Sequence, residues 1–289
     1  MSRRYSEIVP HPLAGDLCGP LEASPLHLLP QTSWWKLFID RKYHREASPA
    51  LLFDRQASKG FHAVMMRVFK TELGLERALQ RSLDFAEYER LYQAVSRDVS
   101  GIQNRGRSGT DSPVGATHFP TEHTPSQAAL DELLAENVGH WNIPTGIKRY
   151  GLADKVKLIY SGSPASWRGY VCYKMAEVPA LAGALLQRYQ HEIGAAAGAR
   201  AQAIAIVRLV RALHVYHFFR DANGRLNTMV VLNKLLLENG FPPAIVSDPA
   251  IFGGGLTLLE LVDDVHRGMK RVLREMQAHA RFAALDLAT

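Results

Sequence analysis

Cysteine is scarce in this chain, since only Cys18 and Cys172 occur among its 289 residues. Two cysteines supply neither a disulfide framework nor a thiolate metal cluster, and we expect free thiols in a reducing compartment. The chain also lacks any run of about 18 apolar residues, so no membrane span is expected. Its opening segment, MSRRYSEIVPHPLAG, lacks the apolar core of a secretory signal peptide. These absences favour a cytoplasmic protein without a membrane partner.

Basic blocks are absent as well, although the net charge is +6 and the isoelectric point is about 9.3. The lysines and arginines are scattered, so a dedicated nucleic-acid arm is not indicated. The positive excess does suit a phosphate-bearing ligand or an acidic target surface. Hydrophobic residues make up 47% of the chain and charged residues 21%, which predicts a folded core and not a disordered chain.

Three regions differ in composition along the chain. Residues 1–33 are rich in proline, leucine and histidine without periodicity, which predicts an extended N-terminal arm. Residues 34–124 carry amphipathic helical patterns and then a linker rich in glycine, serine, threonine and proline. A helix start at Thr124-Pro125 opens the third region, residues 125–289.

The segment HFFRDANGR, residues 217–225, concentrates polar chemistry between two apolar helical patterns. A loop that opens onto a helix N-terminus is a natural anion site, because the first amides of a helix lack intrahelical partners. Asn223-Gly224 predicts a tight, left-handed turn, and Arg225 adds a forked donor suited to phosphate. Asp221 is a hard oxygen ligand of the kind that holds Mg²⁺ together with substrate phosphates.

Helical periodicity predicts where the histidines of this region point. One face of the preceding helix carries Ile206, Val210, Leu213 and His217, and another carries Arg208, Arg211 and His214. The apolar face should meet the core and the arginine face should meet solvent. We therefore expect His217 to emerge from the buried face and His214 to lie outside. An imidazole with a pKa of ~6.5 makes His217 a candidate general base.

The spacing of this segment resembles the Fic-domain signature, H-x-F-x-[D/E]-[A/G]-N-[G/K]-R. Seven positions match it: His217, Phe219, Asp221, Ala222, Asn223, Gly224 and Arg225. The resemblance covers about the second half of the chain. It implies a mainly α fold, with a Fic-type helical bundle and a small β-hairpin flap, and a catalytic domain over residues 125–289. Most family members transfer AMP from ATP to a hydroxyl group of a target protein.

The resemblance also implies roles for individual residues. His217 would deprotonate a Ser, Thr or Tyr hydroxyl, Asp221 would hold Mg²⁺, and Phe219 would anchor the loop in the core. Four residues would bind the donor phosphates: Ala222, Asn223, Gly224 and Arg225. The implied partners are a nucleotide donor, with ATP first, and a protein target. An effector or toxin that a specialised secretion system delivers to a host cell is therefore an alternative to a resident cytoplasmic enzyme.

A flap that docks the target is predicted upstream of the signature. Residues 155–173 read as two short β-rich runs around a Gly/Ser/Pro turn. Fic proteins carry at this place a hairpin that aligns a target segment by strand addition, a mode that uses main-chain hydrogen bonds. The resemblance assigns this docking role to Lys157, Leu158, Ile159 and Tyr160.

Two residues in and after the loop depart from the family pattern. Many members carry a second arginine three residues after the first, where this chain has Thr228. That arginine helps to hold the distal phosphates, so its absence leaves open donors such as UTP, a CDP-linked head group, or ATP acting as a phosphoryl donor. Phe218 also replaces the usual proline after the histidine, which changes the stiffness of the loop but not its chemical groups.

A glutamate brake of the usual kind is not expected. The inhibitory pattern of the family is [S/T]-x-x-x-E-[G/N], and the nearest stretch here, residues 132–137, lacks the hydroxyl residue. Glu136 would also find no second arginine as its partner.

Three other interpretations remain open at this stage. The signature could be a structural helix–loop–helix joint in which the histidine is satisfied and the aspartate caps a helix. Zinc could bind to His214, His217 and Asp221, although periodicity places the two histidines on different faces. An inactive Fic-like interaction module is the third.

Overall fold

The computed structural model describes residues 25–45, 47–48, 59–99, 126, 128–129, 131–132, 149–150, 156–160, 167–171, 175–219, 221–253 and 256–286. Both cysteines, the predicted linker over residues 101–123, the predicted helix start at Thr124-Pro125 and Glu136 lie outside the described residues. The predicted domain boundaries stay predictions. Within the predicted arm, however, residues 25–33 are not extended, because they form helical turns that bury Leu26 and Leu29.

The described chain is mainly α, which confirms the predicted fold class. Its α-helices are α1 (Phe61–Val68), α2 (Glu76–Leu79), α3 (Phe85–Ser96), α4 (Val178–Gly194), α5 (Ala199–Tyr216), α6 (Leu232–Glu238) and α7 (Leu258–Asp286). Two π-helical segments continue this pattern, Phe69–Leu73 after α1 and Arg225–Val231 before α6. Short 3₁₀ turns cover Pro25–Leu28, Gln31–Leu37, Arg41–Tyr43, Met175–Glu177 and Pro249–Gly253.

A small antiparallel sheet lies between α3 and α4 in the chain. It contains β1 (Arg149–Tyr150), β2 (Val156–Tyr160) and β3 (Trp167–Val171) in the spatial order β1-β2-β3. β2 and β3 pair from Val156 opposite Val171 to Tyr160 opposite Trp167. The predicted hairpin is therefore present. The short strand β1, which sequence reasoning missed, adds to the other edge of β2.

One hydrophobic core joins the N-terminal segments to the later helices. Trp34, Phe61 and Phe69 from the first part of the chain are buried in the same cluster as residues of α5, α6 and α7. A buried lysine also links the two parts, since Lys234 of α6 donates to the carbonyls of Ala78 and Leu79 at the end of α2, at 2.9 and 3.2 Å. Among the described helices, none is long and apolar enough to cross a membrane.

Helix α5 carries the signature segment at its C-terminal end, and its surroundings correct one prediction. The expected core positions Ile206, Val210 and Leu213 are buried, but Arg211 and His214 are buried as well, with only 1% and 6% of their surface exposed. The prediction that these two residues face solvent was wrong. Packing covers α5 on several sides, because it contacts α4, α6, α7 and the turn Pro249–Gly253. Periodicity alone assumes one covered face.

Candidate active site

The loop after α5 contains two residues in the left-handed region of backbone space. His217 ends the helix with φ 52° and ψ 54°, and Ala222 has φ 62°. Gly224, in contrast, has φ −59° and ψ −48°, as in an ordinary right-handed helix. The predicted left-handed turn at Asn223-Gly224 was therefore wrong. The two left-handed residues lie at the end of α5 and one residue before Asn223, and the chain is already helical at Gly224.

Asn223 holds this loop closed from inside. Its Oδ1 accepts the backbone N–H of Phe219 at 3.1 Å, and its Nδ2 donates to the carbonyl of the same residue at 2.6 Å. The side chain is 1% exposed. The side-chain amide of Asn223 therefore bonds to the loop backbone. If Asn223 contacts a donor phosphate, it does so through its main-chain N–H.

Two aromatic residues of the loop fix its position against α3. The ring of Phe219 is 1% exposed and lies parallel to that of Tyr92, with centroids 3.7 Å apart and an interplanar angle of 4°. Phe218 is fully buried and meets Tyr88 edge-on at 6.5 Å. Buried aromatic pairs of this kind are worth about 0.5–1.5 kcal/mol beyond their area. The loop is consequently held by the N-terminal half of the chain, which the signature alone does not reveal.

His217 lies at the centre of the site in a neutral form. Burial lowers its pKa from 6.5 to about 4, while the negative charge of Asp221 opposes this shift. Its Nδ1 atom is buried and has no hydrogen-bond partner among the described residues. A neutral imidazole has a lone pair available at neutral pH, which a general base requires.

Asp221 fits a magnesium site that the donor would complete. Its Oδ1 accepts the N–H of Ala222 at 2.6 Å, and the side chain is partly exposed. Among the described residues no group of three or more histidine, cysteine, aspartate or glutamate side chains is placed to hold a metal. The predicted alternative of zinc on the two histidines and Asp221 therefore has no geometric support. One carboxylate is what Mg²⁺ uses when phosphates and water supply the other ligands.

Arg225 begins the helical segment that follows the loop. Its guanidinium carbon lies 4.4 Å from the centroid of the Phe61 ring. The same charge reaches Asp40: burial raises the pKa of this carboxyl group, and the positive charges of Lys42 and Arg225 oppose the increase. Arg225 is therefore partly buried against the N-terminal part of the chain, at the positive end of a helix.

Thr228 occupies the position of the missing second arginine. Its side chain is 1% exposed and its Oγ1 donates to the carbonyl oxygen of Gly224 at 2.5 Å. The residue therefore binds the backbone of the loop, where an arginine would extend towards a ligand.

The predicted docking residues on β2 form the middle of the sheet. Leu158 and Ile159 pair with β1 on one side and with β3 on the other. A target strand therefore finds no free edge of β2 at these two residues, and an added strand would have to pair along an outer edge of the sheet. The assignment of target docking to Lys157, Leu158, Ile159 and Tyr160 stays a prediction, with this change in where the added strand could pair.

An ion pair that sequence reasoning missed ties α5 to α7. Glu132 Oε1 lies 2.5 Å from a guanidinium nitrogen of Arg211. The same carboxylate accepts the N–H of Leu258, the first residue of α7, at 3.0 and 3.2 Å. In the sequence, Glu132 is the first residue of the poor match to the inhibitory pattern. Nothing in the local sequence indicates that a residue about 80 positions away is its partner.

A shallow surface cleft lies between α4 and α5, away from the signature loop. Its polar rim is an ion-pair group in which Glu192 contacts Arg188 at 2.7 Å and Arg208 at 2.8 Å. The two arginines and one glutamate leave a net charge of +1, and the cleft does not contain the residues of the loop.

Comparison with known proteins adds one relative, and no family model matches the chain. The chain is similar to the phosphocholine transferase AnkX of Legionella pneumophila subsp. pneumophila, with 24% identity over 258 residues. The similar region covers 78% of this chain but 26% of AnkX, so the chain spans about a quarter of the relative's length. This distant similarity supports a relationship to transferases and agrees with the Fic resemblance of the loop.

Proposed function

We propose that this chain is a Fic-type transferase that moves a phosphate-bearing group from a nucleotide-linked donor to a hydroxyl group of a protein. The favoured group is phosphocholine carried on CDP. The observation that carries the proposal is the arrangement of His217, Asp221 and Arg225 around one closed loop, in a chain that is similar to a phosphocholine transferase.

The base end of the site supports this chemistry through His217. Burial keeps its imidazole neutral, so the ring can take a proton as the target oxygen attacks phosphorus. The left-handed backbone at His217 ends α5, so this residue is the first of the loop. Asp221 lies within electrostatic reach and would stabilise the imidazolium that forms.

The phosphate end of the site supports it through the backbone. The chain becomes helical at Asn223 and Gly224, so the first amides of this segment lack intrahelical partners and can receive phosphate oxygens. Arg225 adds a permanent positive charge there. Magnesium, held by Asp221 and the donor phosphates, would neutralise the charge that develops on the phosphoryl oxygens.

The proposed step conserves its atoms and charges. The hydroxyl oxygen of the target attacks the phosphorus of the phosphocholine group, and the bond from that phosphorus to the bridging oxygen breaks. CMP leaves with the bridging oxygen, and His217 receives the hydroxyl proton. The target then carries phosphocholine through a phosphodiester bond.

Donor choice rests on the position of Thr228. Many Fic proteins use an arginine at this position to hold the distal phosphates. In this chain the Thr228 side chain is buried and donates a hydrogen bond to Gly224. A CDP-linked donor has two phosphates and no distal third one, so it makes no demand on that position. AMP transfer from ATP, the first expectation from the resemblance, does make that demand and is the competing donor in the test.

The test compares donors with the full chain and a cell lysate as the source of targets. Labelled CDP-choline, ATP and UTP are supplied separately, each with and without a chelator of Mg²⁺. We expect labelled protein from CDP-choline only, and loss of the label on chelation. If only ATP or UTP labelled protein, the transferred group would be a nucleotide and not phosphocholine. No label from any donor would favour the inactive interaction module.

A further inference from the structure

A second histidine lies directly behind the signature loop. His214 is on α5, one helical turn before His217, and 6% of its surface is exposed. Its Nδ1 atom is buried and has no hydrogen-bond partner among the described residues. The two imidazoles are close enough that the charge of His217 adds to burial in lowering the pKa of His214 to about 3. The function proposed above uses only His217.

The imidazole of His214 faces Gly224 across a space about the size of a methyl group. A methyl group added at Gly224 would lie 3.6 Å from Cε1 of His214, an ordinary van der Waals contact, and would meet no other described atom within 4 Å. The backbone at Gly224 is right-handed helical, a conformation that any residue adopts. The geometry of the chain therefore does not require glycine here, and the neighbour across the gap is the histidine ring.

Gly224 is held from its other side by Thr228. The Thr228 hydroxyl donates to the carbonyl oxygen of Gly224, while Leu226 donates its N–H to the carbonyl of Ala222 at 2.9 Å. Asn223 is bonded to the backbone of Phe219. On the side of α5, the side chain that faces Gly224 is the His214 ring.

We propose that His214 is a positioning residue of this site, whose ring fixes Gly224 and through it the amides that receive the donor phosphates. A neutral, flat ring suits this place, because it limits the space into which Gly224 can move and adds no charge beside the base. The anion-binding part of the inference rests on the function proposed above. The mechanical part, support of the segment by His214, does not.

Hydrogen exchange tests the mechanical part without any donor. The exchange of peptides that cover residues 217–231 is followed by mass spectrometry in the full chain, in His214→Ala and in His266→Ala. His266 is an equally buried histidine of α7, at 7% exposure, and serves as the matched control. We expect His214→Ala to accelerate exchange in this segment by about tenfold relative to peptides of α4, and His266→Ala to leave it unchanged. Equal effects on the segment and on α4 would overturn the proposal.

Binding of inorganic pyrophosphate, measured by calorimetry with Mg²⁺ present, tests the anion-binding part. We expect His214→Ala to weaken pyrophosphate binding about tenfold, since small misplacements of binding groups are costly. The variant His214→Gln replaces His214→Ala in both measurements if the alanine variant fails to fold. Unchanged binding together with unchanged exchange would refute the positioning role. Absence of binding by the unmodified chain would count against the proposed function, while the exchange result would still decide the role of His214.

Discussion

The ion pair between Glu132 and Arg211 gives a quantitative prediction about the scaffold behind the site. Arg211 is 1% exposed, so its charge depends on a partner, and the Glu132 side chain is 30% exposed. Removing one partner of a fully buried pair costs about 3–5 kcal/mol, because it leaves an uncompensated charge. Solvent reaches Glu132 and screens part of this interaction, so we expect about 2–3 kcal/mol for Glu132→Gln.

Glutamine is the informative replacement at this position. Its amide oxygen can still accept the N–H of Leu258 at the start of α7, so the variant removes the charge and keeps that hydrogen bond. Chemical denaturation, followed by circular dichroism, measures the change in the free energy of unfolding. For a chain of 289 residues the melting temperature should fall by about 3–5 °C.

A double-mutant cycle with Arg211→Met separates the pair from its surroundings. Methionine fills much of the same volume without a charge, so Glu132→Gln should cost little in its presence, with a coupling of about 2 kcal/mol. The account would be refuted if Glu132→Gln alone changed stability by less than about 0.5 kcal/mol, or if the two substitutions were additive.

Three further predictions concern the loop and its neighbours. Ala222 has φ 62° and its methyl group is buried, so in Ala222→Gly the relief of about 1–2 kcal/mol of backbone strain should roughly offset the lost methyl group and the greater freedom of glycine in the unfolded chain. The free energy of unfolding should change by less than about 1 kcal/mol, and a loss of more than about 1.5 kcal/mol in denaturation would contradict the strained backbone. The pKa of His217 is about 4, below its usual 6.5, so the acid limb of kcat/KM should lie near pH 4, and a limb near 6.5 would contradict burial of the ring. The same shift stabilises the folded protein above pH 6.5 and is lost as the pH falls through about 4. Burial raises the pKa of Glu238 from 4.5 to about 7, so its contribution to stability is present below pH 4.5 and lost as the pH rises through about 7. Between pH 4 and pH 8 the melting temperature of Glu238→Gln should therefore decline less than that of the unmodified chain. Parallel curves for the two proteins would refute this.

The local features of the fold were predictable because they depend on short stretches of sequence. Two short β-rich runs around a Gly/Ser/Pro turn indicated the β2–β3 hairpin, and the apolar repeat of α5 indicated Ile206, Val210 and Leu213 as core residues. The spacing of the signature also indicated a loop between helices. These features follow from hydrophobic periodicity and turn chemistry.

The features that were missed depend on distant parts of the chain. Periodicity places Arg211 and His214 on the polar face of α5, but other elements cover that face. Glu132 supplies a counter-charge for the buried Arg211. The left-handed residues of the loop are His217 and Ala222 and not the glycine, and the bonds of Asn223 to Phe219 hold the loop in this form. The pairing of β1 with β2 could not be predicted, because no sequence pattern links the two strands. Tertiary contacts decide such cases.

The most direct test of the central claim is the rate of group transfer by His217→Ala. With labelled CDP-choline and target protein, the variant should lose at least about 10²-fold in rate, while it keeps its melting temperature and its affinity for the donor. His191→Ala, at an exposed histidine of α4, is the matched control and should transfer at the unmodified rate. Transfer by His217→Ala at the rate of the His191→Ala control would contradict the assignment of His217 as the base.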